Sequence, residues 1–103
     1  MKILDVKSLQ LPDVKVIRYQ RFGDHRGYFT EVYRKSDIEA HPQVGFLKGL
    51  EFTQMNESFC KKGTIKGMHF QSNPYMAKLV RPIHGKMIDL FITEWIWLNI
   101  TSF

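Results

Sequence analysis

The sequence of 103 residues has little cysteine and no long apolar run. Its single cysteine, Cys60, cannot close a disulfide within the chain, which argues against a secreted, disulfide-stabilised domain. The most apolar stretch, residues 87–100, is interrupted by two acidic residues and an asparagine, and it is shorter than the roughly 20 apolar residues that cross a bilayer. Residues 1–11 include charged side chains and lack the apolar core of a signal peptide. The sequence therefore predicts a cytoplasmic protein with no membrane segment.

Composition and length favour one folded domain. Hydrophobic residues make up 44% of the chain and charged residues 24%, which is typical of globular proteins and too apolar for intrinsic disorder. Because a second core would not fit in this length, we expect a single domain over residues 1–103. The net charge of +5 would attract a polyanionic partner. The basic residues are spread along the chain, however, and a solvated surface accounts for them equally well.

Short β-strands separated by turns are predicted along most of the chain. Residues 14–19 are β-branched and aromatic, and a turn signal at 23–27 separates them from a similar segment at 28–33. Further strands are predicted at 50–59, 64–71, 78–83 and 86–92. Strands at this spacing predict an all-β fold, either an antiparallel sandwich or a barrel.

One short helix is predicted. Ser36 followed by Glu39 has the spacing of a capping box, in which each side chain bonds a free backbone N–H of the first turn. The helix is expected over residues 37–41 and is expected to end at Pro42, which cannot continue it.

Polar side chains alternate along the predicted strand 50–59. Side chains two apart share a face of a strand, so Gln54, Asn56 and Ser58 should lie together. Such a row is ordinary surface if it faces solvent, and it orients a polar ligand if it faces a pocket. Periodicity alone leaves both interpretations open.

Three segments occur in an order that resembles a known family. They are Phe22-Gly-Asp-His-Arg-Gly-Tyr-Phe-Thr-Glu31, Gln54-Met-Asn-Glu-Ser58 and Lys62-Gly-Thr-Ile-Lys-Gly-Met-His-Phe-Gln71, followed by Lys78-Leu-Val80 and Gly85-Lys-Met-Ile-Asp89. Together they resemble the dTDP-4-dehydrorhamnose 3,5-epimerases and related nucleotide-sugar epimerases. The resemblance implies a cupin-like double-stranded β-helix, or jelly roll, that assembles as a homodimer and needs no cofactor. The implied substrate is a dTDP-4-keto-6-deoxyhexose.

The resemblance implies two catalytic residues. His69 corresponds to the base that removes the C3 and C5 protons, which are acidic because the neighbouring 4-keto group takes up charge as an enolate. An imidazole suits this role near neutral pH, since its ordinary pKa is about 6.5. Lys78, nine positions later, corresponds to the cation that stabilises the enolate oxygen. A buried structural histidine and a surface lysine are the alternatives.

The resemblance also implies substrate-binding residues. Lys66 occupies a position that is usually arginine, so it keeps the charge but loses the two-pronged contact that suits a phosphate. Lys66 and His69 would face opposite sides of an ideal strand, and a bulge at Gly67 would bring them to one ligand. The remaining implied contacts are Arg26, Phe29 and Glu31 at the nucleotide and Gln54 and Asn56 along the ligand. Phe29 and Glu31 should share a face of their strand.

Metal and nucleic acid are not expected as partners. His69 is followed by Phe70 and Gln71 instead of completing the H-x-H pair of metal-binding cupins, and the other histidines are scattered. Aromatic and arginine residues alternate over positions 18–33, which keeps a single-stranded nucleic-acid-binding barrel as a remote alternative.

The resemblance ends near Ile92, and residues 93–103 depart from the family pattern. Family members are considerably longer, and the resemblance places the aspartate that pairs with the histidine and the tyrosine that supplies a proton in the later part. We therefore expect an incomplete jelly roll, through truncation or a frameshift. The alternatives are a monoepimerase, a 3,4-ketoisomerase and a non-catalytic remnant that binds nucleotide sugars.

Overall fold

The computed structural model describes residues 1–67, 69, 76–92 and 98–102. Over these residues, six strands form three antiparallel two-stranded sheets, and two short helical elements lie between the second and third sheets along the chain. Strands therefore dominate the regular structure, and the predicted all-β class is confirmed at this level.

Strands β1 (Ile3–Ser8) and β2 (Lys15–Tyr19) form the first sheet. The predicted strand at 14–19 is confirmed, and its β-branched residues pair with β1 in a register that sets Val6 opposite Ile17. Charges also match across the sheet, because Asp5 lies opposite Arg18 and the Oδ2–Nη1 distance is 2.9 Å. Val6 is the buried residue of β1 and faces the core.

Strands β3 (Phe22–Asp24) and β4 (Gly27–Phe29) form a tight hairpin. Phe22 lies opposite Phe29, and the predicted turn at 23–27 is confirmed as the connection. The strand predicted over 28–33 ends at Phe29. Thr30, the next residue, donates its hydroxyl to the backbone carbonyl of Gln20 at 2.7 Å, outside the β3–β4 pairing.

Helix α1 (Lys35–Ala40) corresponds to the predicted helix but begins earlier. The capping box is wrong: Arg34 is the N-cap, and no side chain caps the helix. Glu39 instead approaches Lys35, one turn away, at 3.9 Å. A 3₁₀ helix, Pro42–Leu47, follows directly. Sequence analysis assigned Pro42 only as a stop, whereas proline also suits the first position of the next helical element.

The helical elements close a small core over the first sheet. Ile38 of α1 and Val44 and Leu47 of the 3₁₀ helix pack with Val6 of β1, and Val44 is fully buried. Phe52 packs against this cluster from the following segment, and its ring meets that of Tyr33 edge to face at 5.7 Å. The core therefore anchors the chain up to residue 52.

The third sheet pairs β5 (Ile88–Ile92) with β6 (Leu98–Ser102). Strand β5 confirms the last part of the segment predicted at 86–92. The strands predicted at 50–59 and 78–83 are wrong, because these residues adopt no strand pairing in the structure. Residues 64–67 and 69 are likewise unpaired, and the rest of the predicted strand 64–71 lies outside the described residues. These predictions depended on composition, which indicates only whether side chains suit a pleated sheet. A strand also needs a partner that bonds its backbone N–H and C=O groups.

Candidate functional site

The β3–β4 hairpin holds Arg26 through Asp24. One Asp24 oxygen, Oδ1, accepts from the Arg26 backbone N–H at 2.8 Å, and the other, Oδ2, accepts from Nη2 at 2.6 Å. The guanidinium hydrogen bond holds the pKa of the Asp24 carboxyl below its ordinary value, with a smaller contribution from the backbone N–H of Arg26. Gly27 follows with φ +146°, a conformation that side-chain-bearing residues rarely adopt. The turn therefore fixes a cation at the tip of the hairpin.

Exposed aromatic rings lie on the same hairpin as this cation. The Phe29 side chain is 64% exposed and the Arg26 side chain 78% exposed. The Arg21 guanidinium lies over the Tyr28 ring, 4.4 Å from its centroid, in a cation–π contact. A shallow depression is lined by Phe22, Asp24, Arg26, Gly27, Tyr28 and Phe29. A cation beside exposed rings can bind a ligand that is both anionic and planar.

Glu31 lies in a separate polar cluster. Its Oε2 accepts from the amino-terminal ammonium of Met1 at 2.5 Å and contacts Nε of Arg34 at 3.2 Å. The same ammonium also contacts Asp37. The hydrogen bond that the ammonium donates to Glu31 lowers the pKa of this carboxyl. The pKa of the amino terminus is raised by the hydrogen bonds that the ammonium donates, first to Asp37 and then to Glu31. The Glu31 carboxylate is thus already paired with positive charge.

Phe29 and Glu31 line different depressions. The Glu31 depression is bordered by Met1, Lys2, Phe22, Glu31, Arg34 and Asp37, and it shares only Phe22 with the depression that Phe29 lines. Their predicted common face depended on a strand over 28–33, and β4 ends at Phe29 before that face can continue.

The side chains of Gln54 and Asn56 meet, as their two-residue spacing predicts. The Gln54 Nε2 donates to Asn56 Oδ1 at 3.0 Å, and both residues are exposed. Each amide keeps further donor or acceptor capacity for a ligand, since an amide offers two N–H bonds and two carbonyl lone pairs.

Lys66, His69 and Lys78 are exposed, and the structure gives them no hydrogen bond or ion pair with any other described residue. Gly67, the predicted bulge, has φ +135°. Because residues 64–67 and 69 have no strand partner among the described residues, the positive φ of Gly67 does not belong to a bulge in a sheet.

The described residues contain neither a metal-binding cluster nor a membrane-spanning helix. No group of three or more histidine, cysteine, aspartate or glutamate residues in 1–67, 69, 76–92 and 98–102 is placed to hold a metal ion. Within the same residues, no helix has the length and apolar character needed to cross a membrane.

Sequence analysis missed the contacts that position the hairpin residues. Asp24 was not proposed as a site residue, although an aspartate two positions before an arginine in a turn can bond both its backbone and its side chain. The contact of Arg21 with Tyr28 joins residues seven positions apart, and the contact of Met1 with Glu31 joins residues thirty apart. Of these three contacts, only that between Asp24 and Arg26 has a local sequence signal.

The described residues define a β-rich chain with an arginine and aromatic rings exposed on one hairpin, and comparison with known proteins identifies its family. The family described as dTDP-4-dehydrorhamnose 3,5-epimerase matches residues 8–93. The enzyme of that name from Shigella flexneri is 31% identical over 109 residues, covering 96% of this chain. The Sinorhizobium fredii enzyme is 39% identical over 89 residues, covering 84% of this chain. The chain belongs to the dTDP-4-dehydrorhamnose 3,5-epimerase family.

The chain spans about half the length of the curated relatives that it matches. The alignments cover 58% of the Shigella flexneri enzyme, 43% of the Sinorhizobium fredii enzyme and 46% of the Escherichia coli enzyme, which is 33% identical to this chain. No solved structure matches the chain.

Proposed function

We propose that this chain catalyses epimerisation of a dTDP-4-keto-6-deoxyhexose, as the names of its relatives indicate for them. The match over residues 8–93 carries the proposal, because this range includes every residue that we assign to the site. The proposed unit is a single cytoplasmic domain over residues 1–103 with a cupin-like jelly-roll arrangement, in which 93–103 depart from the family pattern. The proposed assembly is a homodimer, and no cofactor takes part.

His69 and Lys78 have the central roles in this proposal. The His69 imidazole takes the proton from the carbon beside the 4-keto group, and the electrons of the broken C–H bond move onto the keto oxygen to form an enolate. The Lys78 ammonium stabilises that oxygen. Return of a proton to the opposite face of the carbon then inverts its configuration.

The remaining residues hold the nucleotide sugar. Arg26 offers the diphosphate a charged hydrogen bond, and Phe29 offers its exposed ring to the nucleobase. Lys66 adds a second positive charge for the diphosphate. In the same proposal Glu31 bonds the nucleotide end, and Gln54 and Asn56 bond polar groups along the ligand.

Proton exchange tests the proposed chemistry without requiring a complete turnover. The chain is incubated with dTDP-4-keto-6-deoxyglucose in heavy water, and the C3 and C5 proton signals are followed by NMR. Loss of these signals faster than in protein-free buffer is the expected result. Unchanged signals, from protein shown to be folded by circular dichroism, would contradict the assignment of an enolising enzyme.

A non-catalytic nucleotide-sugar-binding protein is the second candidate. One contrast favours it. The binding residue Arg26 is already held in place by Asp24, whereas the catalytic residues His69 and Lys78 are exposed to water. Neighbouring groups stabilise a charge less in water than in a dry site. Thymidine diphosphate binding measured by calorimetry, together with the exchange assay, separates the two candidates. Binding without exchange supports the second candidate, and exchange supports the first.

A further inference from the structure

The β3–β4 hairpin is joined to the rest of the chain at its two ends. Among the described residues, the hydrogen bonds made by residues 21–29 stay within the segment 20–30. Every residue from 21 to 29 is exposed, whereas Gln20 and Thr30 are half-buried. The position of the hairpin on the molecule therefore depends on how Gln20 and Thr30 are held.

Gln20 is held by the first sheet, and Thr30 is held by Gln20. The backbone N–H of Gln20 donates to the carbonyl of Lys2, the residue before β1, at 2.8 Å. The backbone carbonyl of Gln20 accepts from the Thr30 hydroxyl at 2.7 Å. The Thr30 hydroxyl therefore closes the open end of the hairpin and ties it to the first sheet.

Thr30 also lies between two residues that the proposed function assigns to the nucleotide. Phe29 precedes it and lines the hairpin depression, and Glu31 follows it and lines the other depression. Phe22 lines both depressions, so the two adjoin at this ring. The backbone of Thr30 thus sets the placement of Phe29 relative to Glu31.

Glu31 has an anchor that does not involve the Thr30 hydroxyl. Its carboxylate accepts from the Met1 ammonium at 2.5 Å and pairs with Arg34. Phe29 lacks such an anchor among the described residues, because its exposed ring belongs to the hairpin alone. Loss of the Thr30 hydroxyl would therefore release the hairpin while Glu31 stays in place.

We propose that Thr30 is a positioning residue for nucleotide binding, because its hydrogen bond to Gln20 fixes the Phe29 ring relative to the Glu31 carboxylate. The inference rests on the proposed function, which assigns Phe29 and Glu31 to the nucleotide, and it adds a residue that acts through them. Thr30 itself does not touch the ligand. Without the bond the hairpin takes several positions, so the ligand must order it on binding and the affinity falls.

Two substitutions of Thr30 isolate the hydroxyl. Thr30→Val replaces it with a methyl group of similar shape, and Thr30→Ser retains it. By titration calorimetry we expect Thr30→Val to raise the thymidine diphosphate dissociation constant about fivefold, the effect of one intramolecular hydrogen bond. Thr30→Ser should stay within about twofold of the unmodified chain, since the bond is kept. Thr64→Val makes the same change at an exposed threonine beside a different turn, and this matched control should have no effect.

Inorganic pyrophosphate distinguishes positioning from a general loss of structure. This ligand can contact Arg26 but has no nucleobase, and Asp24 holds Arg26 within the turn whether or not Thr30 has its hydroxyl. Thr30→Val should therefore change the pyrophosphate dissociation constant by less than about twofold. Equal weakening of both ligands would show a merely structural role and overturn the inference.

Circular dichroism checks that each variant is folded. Thr30→Ala, which also lacks the hydroxyl, takes the place of Thr30→Val if the valine variant does not fold. Thr30→Ser then still provides the comparison in which the hydrogen bond is kept.

The outcomes separate failure of this inference from failure of the proposed function. Unchanged thymidine diphosphate binding in Thr30→Val, or binding by Thr30→Ser that is as weak as that of Thr30→Val, overturns the inference and leaves the proposed function in place. A folded, unmodified chain that does not bind thymidine diphosphate overturns the proposed nucleotide binding, and the inference with it.

Discussion

The Asp24 carboxylate accepts hydrogen bonds from both the backbone and the side chain of Arg26. Its Oδ1 lies 2.8 Å from the Arg26 amide nitrogen, and its Oδ2 lies 2.6 Å from Nη2. The first bond shapes the hairpin turn, and the second orients the guanidinium within that turn. Because Arg26 is proposed to bind the diphosphate, Asp24 is a positioning residue for it. Both residues lie in one five-residue turn.

Loss of the Asp24 carboxylate should weaken nucleotide binding. Asp24→Asn removes the charge that holds the guanidinium, so we expect the dissociation constant for thymidine diphosphate to rise about fivefold. Arg26→Ala removes the diphosphate contact itself and should raise it at least tenfold, because hydrogen bonds to charged groups contribute about 1.5–3 kcal/mol. Titration calorimetry provides both values.

Asp13→Asn is the matched control, because it removes an exposed aspartate from a different turn. It should leave the dissociation constant unchanged. Tighter nucleotide binding by Asp24→Asn would show that the ion pair competes with the diphosphate for Arg26, and this would contradict a positioning role.

The ion pair should also be visible in the titration of Asp24. The Arg26 guanidinium holds the pKa of this carboxyl below its ordinary value of 3.8, so any stability from the pair is present above about pH 3.8 and is lost as the pH falls through the lowered value. NMR titration of the side-chain carboxyl carbon measures this directly. In Arg26→Gln the pKa should rise towards 3.8, and an unchanged pKa would show that the guanidinium is not its cause.

The small core should depend strongly on Val44. This is the fully buried side chain of the 3₁₀ helix, so Val44→Ala removes packed methyl groups and leaves a cavity. We expect the free energy of unfolding to fall by about 2 kcal/mol, measured by urea denaturation. Val80→Ala, at a side chain that is 42% exposed, is the control and should change it by less than about 0.5 kcal/mol. Equal effects would contradict the assigned core.

Lys66 should bind the diphosphate more weakly than an arginine would. Lys66→Arg restores a planar, two-pronged donor at the position where the family usually has arginine, so we expect the thymidine diphosphate dissociation constant to fall about threefold. Lys62→Arg makes the same change at an exposed lysine of the nearby turn and should have no effect. Identical dissociation constants for the two variants would contradict the assignment of Lys66 to the binding site.

Local signals predicted the first half of the fold better than the second. The strand at 14–19 and the turn at 23–27 depend on neighbouring residues, and both are confirmed. The segment 50–59 has the composition of a strand, yet it pairs with no strand in the described part of the structure, because a strand also needs a partner that composition does not specify.

The candidate site shows the same division between local and distant contacts. The shared side of Gln54 and Asn56 follows from a two-residue spacing and is confirmed by the bond between them. The ammonium of Met1 against Glu31 joins residues thirty positions apart, and only the folded chain reveals it. The roles of His69 and Lys78 remain predictions, because they depend on a ligand and on distant groups.

The exchange rate of the substrate protons in His69→Ala, compared with His84→Ala, tests the central claim most directly. Both variants replace an exposed histidine with alanine, but only His69 lies in the segment that resembles the family's catalytic motif. NMR in heavy water at neutral pH measures the loss of the C3 and C5 signals. If His69 is the base, its removal should slow exchange at least a hundredfold, the usual contribution of a positioned general base, and His84→Ala should match the unmodified chain. Equal rates in the two variants would contradict the account.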